Sequence, residues 1–341
     1  MSGDMSRSAP TLEVVAALAG VSRATASRVL SGTGRSSSQA QEAVLAAAEK
    51  LGYVPNLAAR SLVTRRSDAV AFVVAEDERT FFADPFFPTL LQGAQEVVAD
   101  RGLQLMFMIV RDEPSHRRLV NYAAGGHLDG VMLVSLHGTD TMPQDLEARG
   151  IPVVLVGRPI VDEPLRSYVD ADNQGGAASA TELLVARGCR RIAAITGPMD
   201  MAVGQDRQAG YRRALADAGI SYDESLVAAG DFSRESGERA MRELLAAEPA
   251  IDGLFAANDL MALGAMSAIG ESGRSVPGDV AVVGFDDTPL AAQTRPALTT
   301  VRQPIAELGR AMAQCLLDRI AGSGRSEPVI VQTEIVHRTT A

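Results

Sequence analysis

Short apolar runs alternate with helical patterns through most of this 341-residue chain. "AVAFVVAE", "LQLMFMIV", "DGVMLVS" and "IPVVLVG" are separated by patterns such as "FFPTLLQGAQEVVADRG", and the alternation resumes with "RIAAIT", "GLFAAN" and "VAVVGF". Strands that are apolar along their whole length are typical of parallel sheets covered by helices on both faces. Seven or more strands after residue 67 suit two such sheets better than one. We therefore predict an α/β core of two subdomains.

Side chains that suit a sugar site follow several of these runs. Ligands of open α/β sheets bind beyond the carboxyl ends of the strands, so residues at those positions are the candidates. Those able to pair with vicinal hydroxyls or to stack on a sugar ring are Asp77, Asp84, Phe86, Phe87, Ser135, His137, Arg158, Asn258, Asp259, Asp286 and Asp287. Each also fits a helix cap or a turn, an alternative that weighs most for Asp259 and Asp287, and His137 also fits a structural histidine.

The first fifty residues predict three short helices instead. "TLEVVAALAG" has a capping Thr11, apolar residues at helical spacing and a terminating glycine. Ser22 is placed to cap a second helix from Arg23 to Leu30, and a third helical run begins at Ser37. Two short helices joined by a tight turn, with a third in support, form a helix-turn-helix unit. The N-terminal segment is therefore expected to be all-α.

The composition of "VSRATASRVLSG" fits a helix that reads DNA. Arg23 and Arg28 can each form two hydrogen bonds with guanine in the major groove. Ala24 and Ala26 allow close approach, and hydroxyl side chains can donate to phosphates: Ser22, Thr25 and Ser27. The alternative, a solvated helical face with no partner, remains open on these residues alone.

The segment "YVPNLAARSLVTRRSDAV" suits a short helix between the two parts of the chain. "LAARSLV" is too short to be a stable helix alone, so we expect it to order on DNA. Asn56 is a candidate cap, and Leu62 suits an apolar wedge in the minor groove. An ordinary interdomain linker is the alternative.

Charge is distributed unevenly along the chain. Residues 1–66 hold eight basic and four acidic side chains, whereas the whole chain has a formal net charge of −10. A basic N-terminal segment on an acidic body is typical of a nucleic-acid-binding arm.

The string "TLEVVAALAGVSRATASRVLSG … VLAAAEKLGYVPNLAARSL" closely resembles the headpiece and hinge of the LacI/GalR family of bacterial transcriptional regulators. The resemblance implies a homodimer on a pseudo-palindromic operator, with base readers Arg23, Ala24 and Arg28. It implies backbone contacts by Thr11, Ser22, Thr25, Ser27, Ser37 and Asn56. It further implies a minor-groove wedge at Leu62 and close packing of paired hinge helices at Ala59.

The body resembles the effector core of the same family, which is similar to periplasmic sugar-binding proteins. The matching strings are "DADNQGGA", "GQDRQAGYRRAL", "AANDLMALGAM", "VAVVGFDDTP" and "LTTVRQP". By position, the resemblance implies effector contacts from Phe87, Arg207, Asn258, Asp286 and Gln303, to which the strand-end argument adds His137 and Arg158.

Domain limits follow from the same patterns. We predict a headpiece at 8–56, a hinge at 57–66 and a core at 67–341. The first subdomain is expected to take about 67–168 and 304–331, and the second about 169–303 and 332–341. Four positions depart from the family pattern, at Ser31, Ser36, Ala40 and Gln41. The residues usual in the family at these positions are Asn, Val, Thr and Arg, in that order. The resemblance thus puts one core contact and up to two phosphate contacts in doubt, so we expect weaker DNA binding with a shallower salt dependence.

The sequence predicts a cytoplasmic repressor that dimerises on double-stranded operator DNA and responds to a sugar or oligosaccharide, with no membrane contact, cofactor or metal. An enzyme is not expected, because the chain has no nucleophile elbow, no phosphate-binding lysine loop and no histidines at metal spacing. The alternative function is a cytosolic sugar-binding protein without a regulatory role.

Overall fold

The computed structural model describes residues 10–31, 36–53, 66–138, 140–160, 167–323 and 327–341. Contacts within the chain define two units, Met1–Ser67 and Asp68–Ala341. In the parts of the chain that are described, no helix is both long and apolar enough to cross a bilayer.

The N-terminal unit is helical where it is described. Its elements are α1 (Leu12–Leu18), α2 (Arg23–Ser31) and α3 (Ser38–Leu51). Gly20 adopts a φ of +65° after α1, and this left-handed conformation, which costs glycine little, lets the chain turn directly into α2. The helix-turn-helix predicted from the sequence is therefore present.

A small core of six side chains holds the three helices together: Val15, Ala16, Ala26, Val44, Ala47 and Ala48. Not every apolar residue at helical spacing is buried, because Val14, Leu18 and Leu45 are exposed. Helical spacing identifies residues that share a face, but contact with the neighbouring helices decides which adjacent apolar residue is buried.

The second unit begins with a six-stranded sheet in which every pairing is parallel, ordered β11-β5-β4-β3-β1-β2. Its strands are β1 (Ala69–Val74), β2 (Gln104–Ile109), β3 (Gly130–Val134), β4 (Val153–Val156), β5 (Tyr168–Ala171) and β11 (Val329–Val331). Alternate residues of β1 enter different cores, Phe72 on one face and Val73 on the other. Both faces are therefore buried at β1, as its apolar run predicted, whereas the edge strand β2, for which the run "LQLMFMIV" predicted the same, is only partly buried.

A second six-stranded sheet has the order β12-β10-β9-β8-β6-β7. Its strands are β6 (Ile192–Thr196), β7 (Val227–Ala229), β8 (Gly253–Ala256), β9 (Ala281–Asp286), β10 (Thr299–Arg302) and β12 (Glu334–Val336). All pairings are parallel except β10 with the edge strand β12. The predicted two-sheet α/β core is confirmed.

Helices connect and cover the strands of both sheets. With the first sheet lie α4 (Glu78–Ala83), α5 (Phe86–Asp100), α6 (Glu113–Tyr122), α7 (Met142–Glu147) and α13 (Ile305–Ile320). With the second lie α8 (Asn173–Ala186), α9 (Ala202–Asp217), α10 (Arg234–Ala247), α11 (Asp259–Glu271) and α12 (Pro289–Gln293).

The chain passes between the sheets three times, after β5, β10 and β11. Because β5 runs to Ala171, the first passage lies a few residues beyond the limit expected near 168. The complete set of domain limits stays a prediction.

Candidate functional site

The second helix of the N-terminal unit turns most of its polar side chains outward. Ser22, Arg23, Ala24, Ser27 and Arg28 are exposed, and Thr25 is half-buried. Ala26 is fully buried in the three-helix core, so the expectation that it permits close approach to DNA is wrong. The face left for a partner is therefore the one that carries both arginines and Ala24.

Local hydrogen bonds already engage several of the predicted DNA contacts. The Ser22 hydroxyl accepts the Thr25 N–H at 3.1 Å and caps α2, and Ser37 caps α3 by accepting the Ala40 N–H at 3.3 Å. Thr11 occupies the cap position of α1, but its side chain makes no capping bond. Arg28 Nε donates to the Ala24 carbonyl at 3.3 Å. These residues order the helix ends, and their contacts with DNA stay predictions.

Sequence reasoning missed an ion pair at the first predicted base reader. Arg23 Nε lies 2.7 Å from Glu13 Oε1 on α1, and both side chains are well exposed. Hydrogen bonds from its own backbone N–H and from Thr11, together with Arg23, lower the pKa of Glu13. The predicted base contact by Arg23 would require it to leave this carboxylate, and that contact stays a prediction. The predicted contacts Asn56, Ala59 and Leu62 lie outside the described residues.

The second unit contains a cavity of about 630 Å³ between the two sheets. It opens beyond the ends of β1 and β3 in the first sheet and of β6 and β8 in the second. In each sheet these are the neighbouring strands where the connections diverge to opposite sides, which is where open α/β sheets bind ligands. All seven effector contacts predicted from the sequence line this cavity: Phe87, His137, Arg158, Arg207, Asn258, Asp286 and Gln303.

A buried arginine organises the wall that the second sheet contributes. Arg207, on α9, is 4% exposed; its Nε donates to Asn173 Oδ1 at 2.9 Å and its Nη1 donates to the Ala257 carbonyl. Its guanidinium lies 3.7 Å from the centre of the Phe285 ring. Burial lowers the pKa of Arg207, while nearby carboxylates, led by Asp286, act against that shift.

Asp286 completes this centre at the end of β9. Its Oδ1 lies 3.4 Å from Arg207 Nη2 and accepts a hydrogen bond of 2.5 Å from Gln303 Nε2. Burial raises the pKa of Asp286, and Arg207 opposes the rise. Its φ of +108° is a conformation that side chains other than glycine rarely adopt, and such strain concentrates at functional sites. Three predicted contacts thus meet in one buried cluster.

Asn258 lines the cavity but also has a structural role. Its Oδ1 caps α11 by accepting the Met261 N–H at 2.9 Å, and its Nδ2 donates to the Phe232 carbonyl at 2.9 Å. The cap alternative weighed for these strand-end residues therefore applies to Asn258. One amide hydrogen is left over for a ligand.

His137 joins the two sides of the cavity. Its Nε2 lies 3.0 Å from Glu76 Oε1, which follows β1, and its Nδ1 lies 3.1 Å from Asp200 Oδ2, in the loop after β6. The hydrogen bond to Glu76 is the main reason that the pKa of His137 rises to about 9. Both ring nitrogens are occupied, so the structural alternative describes His137 better than direct ligand contact does.

Arg158 forms a second link of the same kind. Its Nη2 lies 3.0 Å from Asp206 Oδ1 on α9, and its backbone N–H donates to Asp170 Oδ2 at 3.0 Å. The loop after β4 is thereby tied to both β5 and α9. The ion pair leaves other guanidinium hydrogens for a ligand, so a direct contact by Arg158 stays a prediction.

Aromatic rings supply the apolar part of the cavity lining. Phe86 and Phe87 stand at the start of α5, with their ring centres 5.4 Å apart in an edge-to-face arrangement. Phe232 comes from the second sheet's side, and a Cβ added to Gly197 would lie 2.2 Å from its ring. Gly197 thus gives Phe232 its place, and nothing in the pattern of the sequence singled out that pair.

Two buried carboxylates of the cavity are absent from the seven predicted contacts, although Asp84 was a candidate by its position after a strand. Asp170 lies near the carboxyl end of β5, which ends at Ala171, and Asp84 precedes the Phe86–Phe87 pair. Burial is the main cause that raises the pKa of each to about 6. Sequence could have identified Asp170 by its position near the end of a strand and Asp84 by its position directly after a short helix.

Three other strand-end acids lie away from the cavity. Asp259 is fully buried and accepts hydrogen bonds from Thr288 and Thr300, while Asp287 pairs with Arg302. Asp77 caps α4. The structural alternative is correct for all three. Among the described residues, no group of histidine, cysteine or acidic side chains is arranged to hold a metal.

Two family models match the chain. Residues 11–56 match "Bacterial regulatory proteins, lacI family", and residues 181–341 match "Periplasmic binding protein-like domain". The chain is 50% identical over 335 residues to the HTH-type transcriptional regulator CelR of Thermobifida fusca, an alignment that covers 97% of this chain and 98% of the relative.

Solved structures are similar over nearly the whole length. A complex of the transcriptional regulator CelR with cellobiose aligns with a TM-score of 0.79 at 46% identity, over 97% of this chain and 100% of the other. A lac repressor dimer bound to operator and the anti-inducer ONPF aligns with a TM-score of 0.85 at 27% identity, over 98% and 99%.

Proposed function

The chain belongs to the LacI family of bacterial regulatory proteins, and on that premise we propose that it represses transcription from a palindromic operator under the control of a cello-oligosaccharide. Like its relatives, it is a DNA-binding transcriptional regulator and not an enzyme. Its place of action is the cytoplasm, where bacterial operator DNA lies.

The DNA-binding half of the proposal rests on α2. Arg23, Ala24 and Arg28 read base edges from its exposed face, and the helix N-terminus with its hydroxyl groups positions it on the phosphates. One such helix reads half a site, so two copies of the chain are needed for a symmetric operator. The similar lac repressor structure is a dimer bound to operator, which supports this assembly.

The effector half rests on the cavity. Its volume of about 630 Å³ lies within the range of roughly 300–1,000 Å³ that small-molecule sites occupy. Asp286 and Gln303, which Arg207 holds in place, offer planar donors and acceptors for adjacent hydroxyls, and Phe87 offers apolar surface for a pyranose ring. Cellobiose is the first candidate because a transcriptional regulator that is 46% identical to this chain was solved in complex with it.

We expect sugar binding to change DNA binding because of how the two sides of the cavity are connected. His137–Asp200 and Arg158–Asp206 connect loops of the first sheet with the second-sheet side. A sugar that contacts both walls changes the balance between open and closed arrangements, and the population able to bind DNA changes with it.

The observation that carries the proposal is the presence in one chain of both a helix-turn-helix with an exposed basic face and a cavity with a buried polar cluster in its wall. The decisive experiment compares the full chain with a truncated variant that starts at Asp68, the first residue of the second unit. We expect both forms to gain about 2.7 kcal/mol of stability at cellobiose concentrations 100 times the dissociation constant. Only the full chain is expected to bind a symmetric operator.

Maltose and glucose serve as ligand controls, because they differ in linkage and length. Operator affinity is measured with and without sugar, and a change in either direction supports the coupling. Equal stability with every sugar would contradict the effector, and a full chain with no preference for symmetric DNA would favour the simple sugar-binding alternative.

A further inference from the structure

Asp84 carries a buried carboxylate in the cavity lining, and one of its two oxygens has no partner among the described residues. The residue follows α4 and is 9% exposed, and it lines the cavity. Its Oδ1 accepts the Phe86 N–H at 2.9 Å. Within the described residues, no hydrogen bond or ion pair reaches Oδ2. A buried charge without full hydrogen bonding is costly, so this oxygen is placed to gain from a ligand that donates.

Its neighbours in the cavity do not neutralise it. Arg207 attracts it over a distance, but that guanidinium is committed to Asn173, Asp286 and the Ala257 carbonyl. Glu76 repels it. In contrast, both carboxylate oxygens of Asp170 accept hydrogen bonds from the protein.

The lining as a whole is acidic. It includes seven carboxylates against three arginines and His137. Arg158 and His137 are paired with acids, and Arg79 lies on the exposed surface. An anionic ligand brought near Asp84 would therefore place like charges together in a poorly hydrated space, where repulsion is screened least.

We propose that Asp84 determines whether the effector is neutral or anionic. Its free oxygen accepts a hydrogen bond from a hydroxyl of a neutral sugar, and its negative charge excludes sugars that carry phosphate or carboxylate. The inference rests on the proposed sugar effector and adds the reason why that sugar is unmodified. A hydroxyl donating to an ionised carboxylate makes a stronger hydrogen bond than one between neutral groups.

The test measures the affinities of the full chain for cellobiose, its 6′-phosphate and its aldonic acid at pH 7.5 by calorimetry. We expect the unmodified protein to prefer cellobiose by at least about 100-fold. Asp84→Asn keeps the shape and the acceptor for Phe86, and it should weaken cellobiose binding about 10- to 100-fold, as loss of a charge-assisted hydrogen bond does. The same variant should reduce the ratio of the affinity for cellobiose to the affinity for the anionic sugars by at least about tenfold.

Three further variants separate Asp84 from the general field of the cavity and from its own folding. Glu235→Gln removes one negative charge from an exposed position of the same lining. It should reduce the preference for cellobiose less than Asp84→Asn does, because water screens the charge of Glu235. Asp217→Asn, on the exposed surface at the end of α9, should leave that preference unchanged. Asp84→Glu keeps the charge, so it should still prefer cellobiose to the anionic sugars, although it should bind cellobiose less tightly. This variant replaces Asp84→Asn if Asp84→Asn does not fold. The melting temperature of free Asp84→Asn should stay level or rise, since an incompletely paired buried charge is removed.

The outcomes distinguish this inference from the function on which it rests. If the unmodified protein binds cellobiose but Asp84→Asn weakens neutral and anionic sugars equally, or if the phosphate binds more tightly, the role of Asp84 is overturned and the sugar effector stands. If no sugar binds the unmodified protein, both are overturned.

Discussion

The headpiece and the cavity use arginine in opposite ways. Arg23 is mostly exposed and has one surface ion pair, with Glu13, that DNA can replace. Arg207 is 4% exposed and holds Asn173, Asp286 and a carbonyl in place at once. The first arginine is available for a partner, whereas the second is part of the structure that receives one.

This difference predicts which properties of the protein a substitution of each arginine should change. A surface ion pair contributes about 0–1 kcal/mol to stability, so changes at Arg23 should affect DNA binding alone. A buried cation that compensates several carboxylates supports folding and ligand binding together. The following substitutions test that contrast.

The largest effect is expected from Arg207→Ala. Removing the guanidinium leaves Asp286 and its neighbours without their buried counter-charge, so the free energy of unfolding should fall by about 3–5 kcal/mol and cellobiose binding should be lost. Urea unfolding measures the first and calorimetry the second. Arg207→Lys is the matched control, because it keeps the charge but loses the planar fork, and it should recover part of the stability. A loss below about 1 kcal/mol in the alanine variant would contradict the contrast.

Arg23→Ala should act only on DNA. Loss of a two-bond contact with guanine costs about 1–3 kcal/mol of operator affinity and relaxes the preference at one base position. Binding to a set of operators with single base changes measures this, and cellobiose affinity should not change. Equal weakening on every DNA sequence would show that Arg23 contacts phosphate instead of a base.

His137→Asn should remove a pH dependence of stability. Because the pKa of His137 is raised to about 9 in the folded chain, its contribution is complete below the unfolded value of about 6.5 and is lost as pH rises through 9. After allowance for solvent at a side chain that is 39% exposed, we expect about 1 kcal/mol. Unfolding at pH 6 and pH 10 should differ less in the variant than in the unmodified chain. The same difference in both would contradict the cross-cavity ion pair.

Gln41→Arg should produce the smallest effect. Gln41 is exposed in the first turn of α3, where the family pattern has an arginine. A restored phosphate contact should steepen the logarithmic salt dependence of operator binding by about 0.9. Gln39→Arg adds the same charge two residues away, on a different side of the helix, and should do less. Identical salt slopes for the unmodified chain and Gln41→Arg would remove the explanation offered for this departure.

The sequence by itself determined the fold class, the three headpiece helices and seven of the twelve strands that the structure describes. Helix caps, terminating glycines and the apolar runs are local signals, so the three headpiece helices and the two buried sheets could be predicted before any contact was known. The seven predicted residues also line one cavity. Five of them were assigned by resemblance to the family, and His137 and Arg158 were added because each follows a strand.

Tertiary structure decided which of those side chains remain available. Whether Ala26 faces DNA or the core, and whether the ring of His137 is free or held by Glu76 and Asp200, depends on residues distant in sequence. The same holds for the unpaired oxygen of Asp84 and the place that Gly197 gives to Phe232. Hydrogen bonds and burial depend on distances of a few ångströms between elements, and no local pattern encodes those distances.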